Sequence, residues 1–318
     1  MKMDVIHYPD DPRPAHWLRP VLALGNFDGL HLGHMKILEQ IVRTAREHAA
    51  TPLLLTFDPH PTRVVRPEHA PRLLMTLRQK LEVAGRAGID GAAVVHFTYD
   101  VASWNPETFV RLVLFDWLRV SEVWVGANFL FGHDRSGDFS KLEDLGARYG
   151  FSARKIEPVL YKESVVSSSR VRSLVTEGRM AEATELLGRP YFMDGTVVHG
   201  LQRGRQLGYP TANLNSANEL TPPNGVYTTR STVDDVVYPS VTSIGIRPTF
   251  HEPSAVVIET YLLDVERDLY GKRLRVEFLE RIREELTFSS VDELKVYIAA
   301  DCDHVRAYFA QLARRGTA

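Results

Sequence analysis

The sequence predicts an α/β protein in two parts: a doubly wound, mostly parallel sheet, followed by a small antiparallel β-barrel with a C-terminal helix. Three observations predict it. From residue 21 to about residue 188, short apolar runs alternate with amphipathic stretches, the pattern of strand and helix in turn. After Gly188-Arg189-Pro190, strand-like runs follow one another with Gly, Pro and Asn turns between them, and no helix intervenes until residue 291. A chain of 318 residues is also longer than one core usually sustains, which favours two. The predicted domains are 1–188 and 189–318.

In order, the first part has predicted strands at 21–24, 53–57, 93–97, 123–125 and 151–156. Between them lie helices at 35–48, 78–87, 106–118 and 140–149, with Pro106 suited to a first helical turn. The second part has strands at 195–198, 226–230, 236–244, 256–263 and 274–279, then one or two amphipathic helices over 291–313.

The composition, 44% hydrophobic and 25% charged, excludes disordered and collagen-like classes. With 38 basic against 40 acidic residues the formal charge is −2, so no positive field drives sequence-independent nucleic-acid binding, and small-molecule partners are expected. Residues 1–20 lack the apolar segment a signal peptide needs, and no apolar run approaches the ~18 residues of a membrane span. Cys302 is the one cysteine and forms no internal disulfide, in keeping with a reducing, cytoplasmic setting.

Two constellations carry chemistry. After the first predicted strand comes Gly25-Asn26-Phe27-Asp28-Gly29-Leu30-His31-Leu32-Gly33-His34, leading into a helix. A glycine-bearing turn at the carboxyl end of a parallel strand holds anions on backbone N–H groups and the helix dipole. His31 and His34, three residues apart, face one side of the first turn, where they can donate to phosphate oxygens. Two surface histidines or a metal pair are the alternatives, but no cysteine or third histidine shares the turn. Ser168, Ser169 and Arg172 open a further helix, offering hydroxyl and guanidinium donors suited to a triphosphate; alone they also read as an ordinary N-cap.

In the second part, Gly204 and Gly208 precede Tyr209-Pro210-Thr211-Ala212-Asn213. Thr211 and Asn213, two apart on an extended segment, face one way and can share a metal ion or phosphate. Their residue types alone also fit an ordinary turn.

The first segment resembles the HxGH signature of the nucleotidyltransferases related to class I aminoacyl-tRNA synthetases. In its longer form, Gly25 to His34, it is similar to the FAD synthetase module of bacterial bifunctional riboflavin kinase/FAD synthetases. Thr56-Phe57-Asp58-Pro59-His60-Pro61, Val125-Gly126-Ala127-Asn128-Phe129 and Val166 to Arg172 resemble, in order, the family's TFxPHP, VGxNF and ISSTxxR. Leu207 to Leu214 resembles its PTAN-containing kinase signature, residues 243–250 its NIGxxPTF, and residues 257–264 its VExHLLD strand.

The resemblance covers residues 20 to 300 and implies a Rossmann-like N-terminal domain. It implies ATP at Gly25, Phe27, Asp28, Gly33, Ser168 and Arg172, with His31 and His34 catalytic, and flavin at Asp58, Pro59, His60 and Asn128. For the kinase it implies ATP at Gly204, Gly208, Pro210, Thr211 and Asn213, Mg²⁺ at Thr211 and Asn213, and Glu259 as general base. Set amid Val257, Ile258 and Leu262, that carboxylate is expected to be partly desolvated. Riboflavin, FMN, FAD and ATP are the implied substrates and products, and Mg²⁺ the implied cofactor, acting on a monomer or weak homo-oligomer without nucleic acid or membrane. Ser169 stands where the family has Thr, Leu201 where Asp is common, Ser243 where Asn is frequent and Tyr261 where His is common.

Overall fold

A computed structural model describes residues 3–200, 204, 207–247 and 255–315. The chain divides into two compact units, residues 1–168 and 169–318.

The first unit is a six-stranded parallel sheet. Its strands are β1 (Asp4–Tyr8), β2 (Val21–Leu24), β3 (Pro52–Asp58), β4 (Gly91–His96), β5 (Glu122–Val125) and β6 (Ser152–Lys155), in the order β1-β4-β3-β2-β5-β6. The central strands are apolar without alternation: every residue of β2 is buried, as are the first five of both β3 and β4. A strand covered on both faces requires this. The connecting helices include α1 (Leu32–Glu47), α2 (Pro61–Val65), α3 (Leu77–Arg86), α4 (Tyr99–Ser103), α5 (Pro106–Phe109) and α6 (Phe139–Tyr149). Leu22, Leu24, Leu53, Leu55, Val95, Val123 and Val125 join one core cluster, each such side chain contributing roughly 1.5–3 kcal/mol of burial.

From β2 the chain winds one way to β3 and β4, then crosses back to place β5 on the other side of β2. The loops after β2 and β5 therefore flank a topological switch point, where open α/β sheets bind ligands.

Several features differ from the sequence expectation, among them the following. β1, five residues beside β4, was not anticipated, because a short edge strand flanked by Pro9 and Pro12 carries little apolar signal. α1 begins at Leu32 rather than Met35, since His31 supplies the extended N-cap. The predicted helix 106–118 is α-helical only to Phe109; Val110–Trp117 continues it as a π-helix. A small β7–β8 ribbon (Leu160–Tyr161 with Ser164–Val165) follows β6.

The second unit opens with α7 (Ser168–Thr176), which starts at the unit border, and α8 (Met180–Leu187). Six antiparallel strands then close a barrel: β9 (Tyr191–Val198), β10 (Ala212–Ser216), β11 (Gly225–Val233), β12 (Val236–Arg247), β13 (Ala255–Leu262) and β14 (Arg273–Arg283). Part of its interior is a chain of buried hydroxyls, with Thr229 bonded to Ser240 and Thr242 at 2.8 Å, Ser231 to Ser240 at 2.7 Å and Thr242 to Thr260 at 3.0 Å. Mutual bonding removes the cost of burying them. α8 lies against β9 and β14 with Met180, Ala183, Leu186 and Leu187 buried. α9 (Val291–Arg314) is one 24-residue helix, tied to β14 by Arg283, whose guanidinium donates to buried Asp301 at 2.8 and 3.1 Å.

Candidate functional site

In the first unit the turn after β2 behaves as the spacing suggests. The first helical bond of α1 runs from Met35 N–H to the His31 carbonyl at 2.9 Å, so Leu32 and Gly33 N–H have no acceptor within the helix. The His31 side chain makes no cap, and no acidic residue occupies the first turn. That helix end favours an anion.

The imidazoles of His31 and His34 stack, with centroids 3.7 Å apart and planes 17° from parallel, and the Phe27 ring meets His34 edge-on at 5.1 Å. Gly33 makes the stack possible: a Cβ there would stand 3.2 Å from two atoms of the His31 ring. Close approach of a ring, rather than of a ligand alone, explains this glycine.

Phe27 and Asp28 are placed differently from residues that reach a ligand with their side chains. Phe27 is 2% exposed, with its ring inside the protein. The Asp28 carboxylate accepts from Leu74 N–H at 2.9 Å and Met75 N–H at 3.3 Å, pinning the turn to the segment before α3. Both side chains are thus engaged inside the protein. Ser168, the last residue of the first unit, donates through Oγ to the Asp28 carbonyl at 2.8 Å. Arg172 belongs to the second unit, where its guanidinium reaches Ser169 Oγ at 3.3 Å; its assignment to the nucleotide stays with the family resemblance.

Beside this turn lies a cavity of about 840 Å³, bordered by Gly25 and Asn26 and walled by Phe57, Phe97, Trp104, Phe109, Phe129 and Phe131. Asn128 lines it. Asp58, Pro59 and His60 do not, although the flanking Phe57 and Pro61 do. His60 Nδ1 instead accepts from Thr62 N–H at 3.3 Å as the N-cap of α2. An aromatic enclosure of this size suits a flat, fused-ring ligand.

Sequence reasoning missed Lys80. It is 7% exposed on the inner face of α3, and Nζ donates to the Asn26 carbonyl at 2.7 Å and Thr56 Oγ1 at 3.0 Å. Burial pushes its ammonium down to about 8, against the upward pull of Asp28 and Asp58. The signal was present: Lys80 stands three and four residues before buried Val83 and Ala84, a charge on the apolar stripe of a helix.

In the second unit, strand register assembles the predicted residues. Asn213 of β10 lies directly opposite Glu259 of β13, and Glu259 lies opposite Ser243 of β12 on its other side. Thr211, Asn213, Ser243 and Glu259 are half-buried while Ala212, Thr242, Ile258 and Thr260 are buried, so the four share the outer barrel face. Ile258 and Leu262 point into the barrel instead of surrounding Glu259, correcting the expected setting: a strand's side chains alternate, leaving Val257 and Tyr261 on its face. Gly200 lies against Asn213, where a Cβ would stand 2.2 Å from the amide nitrogen. The Gly204 carbonyl accepts from Leu207 N–H at 3.0 Å and Tyr209 N–H at 2.8 Å, and a Cβ on Gly204 would stand 3.2 Å from Thr211 Oγ1, while Gly208 takes the left-handed conformation at φ 89°. Tyr261 meets Tyr209 edge-on at 5.5 Å, and burial pushes its phenol up. Leu201 and Pro248-Thr249-Phe250 lie outside the described residues.

Thr211 and Asn213 present oxygen donors on one face, which fits a hard divalent cation. Among the described residues no group of three or more His, Cys, Asp or Glu is placed to hold a metal.

Fold and sites together define a class of enzyme: a nucleotide-dependent transferase pairing a phosphate-binding parallel sheet with a barrel carrying a carboxylate beside hydroxyl and amide oxygens. Residues 14–170 match the FAD synthetase family and residues 187–309 the riboflavin kinase family. The chain belongs to the bifunctional riboflavin kinase/FMN adenylyltransferase family. Relatives of that name include one from Pseudomonas fluorescens, 38% identical over 95% of this chain and 99% of its own. Those of Escherichia coli K12 (36%; 91% and 92%) and Bacillus subtilis 168 (34%; 99% and 100%) are also similar. A solved structure from Streptococcus pneumoniae, described as a macrolide-efflux protein, matches at TM-score 0.86 and 27% identity over 96% of this chain and 99% of that one. Among the described residues no helix here is long and apolar enough to cross a membrane.

Proposed function

We propose that this chain phosphorylates riboflavin with ATP to give FMN, then transfers AMP from a second ATP to FMN, giving FAD and pyrophosphate. The observation that carries this reading is the aromatic cavity bordered by the same Gly25-Asn26 turn that leads into the His31–His34 stack. It sets a flavin-sized enclosure beside a phosphate-binding helix end. Adenylyl transfer is assigned to residues 1–188 and riboflavin phosphorylation to 189–318, in accord with the start of the riboflavin kinase match at 187.

In the kinase step the riboflavin 5′-hydroxyl oxygen attacks the γ-phosphorus, its proton passes to the Glu259 carboxylate, and ADP leaves. Pro210, Gly204 and Gly208 shape the loop beside the nucleotide. Thr211 and Asn213 would hold Mg²⁺, which when bound neutralises charge on the transferring phosphoryl group. In the adenylyl step a phosphate oxygen of FMN attacks the α-phosphorus and pyrophosphate leaves. That nucleophile is already ionised, so no base is required. His31 and His34 stabilise the charge that develops, the turn from Gly25 to Gly33 offers its N–H groups, and Ser168 and Arg172 hold phosphates. Asn128 orients the flavin from the cavity wall, and the Asp58-Pro59-His60 loop does so from the cavity's edge, between the lining residues Phe57 and Pro61.

The near-neutral charge supports a chain that works without nucleic acid; that it works in the cytoplasm, off the membrane, as a monomer or weak homo-oligomer, belongs to the same proposal. Incubation with riboflavin, ATP and Mg²⁺, followed by chromatography over time, tests the function: FMN rises first and gives way to FAD. FMN without FAD would remove the adenylyl assignment, and no turnover would remove both.

A further inference from the structure

We propose that Lys80 is a positioning residue of the adenylyl-transfer site, holding the Asn26 carbonyl inward so that the Phe27 N–H points outward at nucleotide phosphate, and placing a cation beneath it. This rests on the nucleotide reading of the first unit.

Nζ of Lys80, Thr56 Oγ1 and the Asn26 carbonyl form a closed triangle: 2.7 Å from Nζ to the carbonyl, 3.0 Å from Nζ to the hydroxyl, and 3.1 Å from the hydroxyl to the carbonyl. Thr56 ends the buried stretch of β3 and Asn26 follows β2, so the triangle joins the turns at two central strands from beneath. A peptide unit is planar and trans, so the carbonyl of Asn26 and the N–H of Phe27 point in opposite directions. Fixing the carbonyl towards α3 therefore aims the N–H away from it. Turned the other way, the same unit would present a carbonyl oxygen to an anion. Phe27 can contribute nothing else, because its side chain is buried.

Stability alone does not call for a lysine here. Burying an ammonium is costly, and an apolar side chain of similar length fills the space more cheaply. Thr56 already donates to the Asn26 carbonyl. Among the described residues no carboxylate lies within ion-pair distance of Nζ; Asp28 on the turn and Asp58 at the end of β3 act on it only at longer range. A charge kept buried without a direct counter-ion, at the edge of a phosphate site, is explained by an anion that arrives with the substrate.

The test uses the full chain with Lys80→Met and Lys80→Arg. Three quantities are measured: ATP affinity by calorimetry with the flavin-free protein, FAD formation from FMN across pH, and FMN formation from riboflavin as the control on folding. The expected result for Lys80→Met is a loss of tenfold or more in kcat/KM for ATP in FAD formation and a matching loss of ATP affinity, with riboflavin phosphorylation within twofold of wild type. Lys80→Arg should recover part of both and move the alkaline limb of the FAD-formation profile to higher pH, because a guanidinium stays charged where the buried ammonium does not. Lys80→Met within twofold of wild type would overturn the proposal. So would equal losses in the two variants with the alkaline limb unmoved. If wild type binds ATP but forms no FAD, the function assigned to this unit falls, and the ATP affinities still decide the role of Lys80.

Discussion

His31 and Glu259 make the sharpest contrast at the scale of single residues, because the proposed function gives each a part in one reaction alone. His31→Ala removes one donor to developing charge and is expected to cut FAD formation from FMN at least ~100-fold while leaving FMN formation intact. Glu259→Gln removes the proton acceptor and should cut riboflavin phosphorylation by ~100-fold or more, sparing FAD formation. Separate assays of the two half-reactions on each variant check this, and parallel losses would contradict two sites. Lys80 adds a prediction on stability. Its folded-state pKa is lowered from 10.5 to about 8, so between those values the unfolded chain binds more protons and stability rises with pH. Relative to Lys80→Met, wild type should therefore gain stability from pH 8 to 10.5, by at most about 3 kcal/mol, read from urea unfolding at several pH values. Burial pushes the Tyr261 phenol up, so it stays neutral near pH 7 and the kinase profile has no imidazole limb from this position.

α3 shows how one element carries a site it does not face in sequence. Thr76 and Gln79 form a capping box, with Gln79 N–H donating to Thr76 Oγ1 at 3.2 Å and Thr76 N–H donating to Gln79 Oε1 at 2.9 Å. Thr76→Ala breaks both and is expected to cost about 1 kcal/mol, lowering the melting temperature of the first unit by ~2–4 °C in a thermal scan. Because the same helix holds Lys80 under Asn26, FAD formation should weaken with it more than FMN formation. In the barrel the element that matters is a pair of strands. Asn213 and Glu259 are 46 residues apart in sequence, and the β10–β13 register makes them neighbours.

At the scale of the molecule, α8 and the part of α7 from Ser169 on cluster with the barrel's unit. A fragment 169–318 should therefore melt cooperatively and phosphorylate riboflavin. A fragment 189–318 should melt lower, because it uncovers the face of β9 and β14 that Met180, Ala183, Leu186 and Leu187 protect. Circular dichroism of the two fragments distinguishes this, and equal melting temperatures would show that α8 adds nothing to the barrel.

Much of the molecule was legible in its residues alone. Unbroken apolar runs such as Val21–Leu24 mark strands covered on both faces, and the glycines and histidines from Gly25 to His34 mark a turn that opens a helix, since period and turn chemistry are local properties. What stayed hidden depends on partners distant in sequence. β1 exists because β4 offers it an edge, Asp28 is a tether because Leu74 and Met75 come to meet it, and Lys80 matters because Asn26 and Thr56 stand above it. The aromatic cavity draws its walls from β3, α5 and the loop after β5, and the barrel sets Glu259 between Asn213 and Ser243. Sequence periodicity tells which way a side chain leans on its own element, whereas only the pairing of elements decides what it meets there.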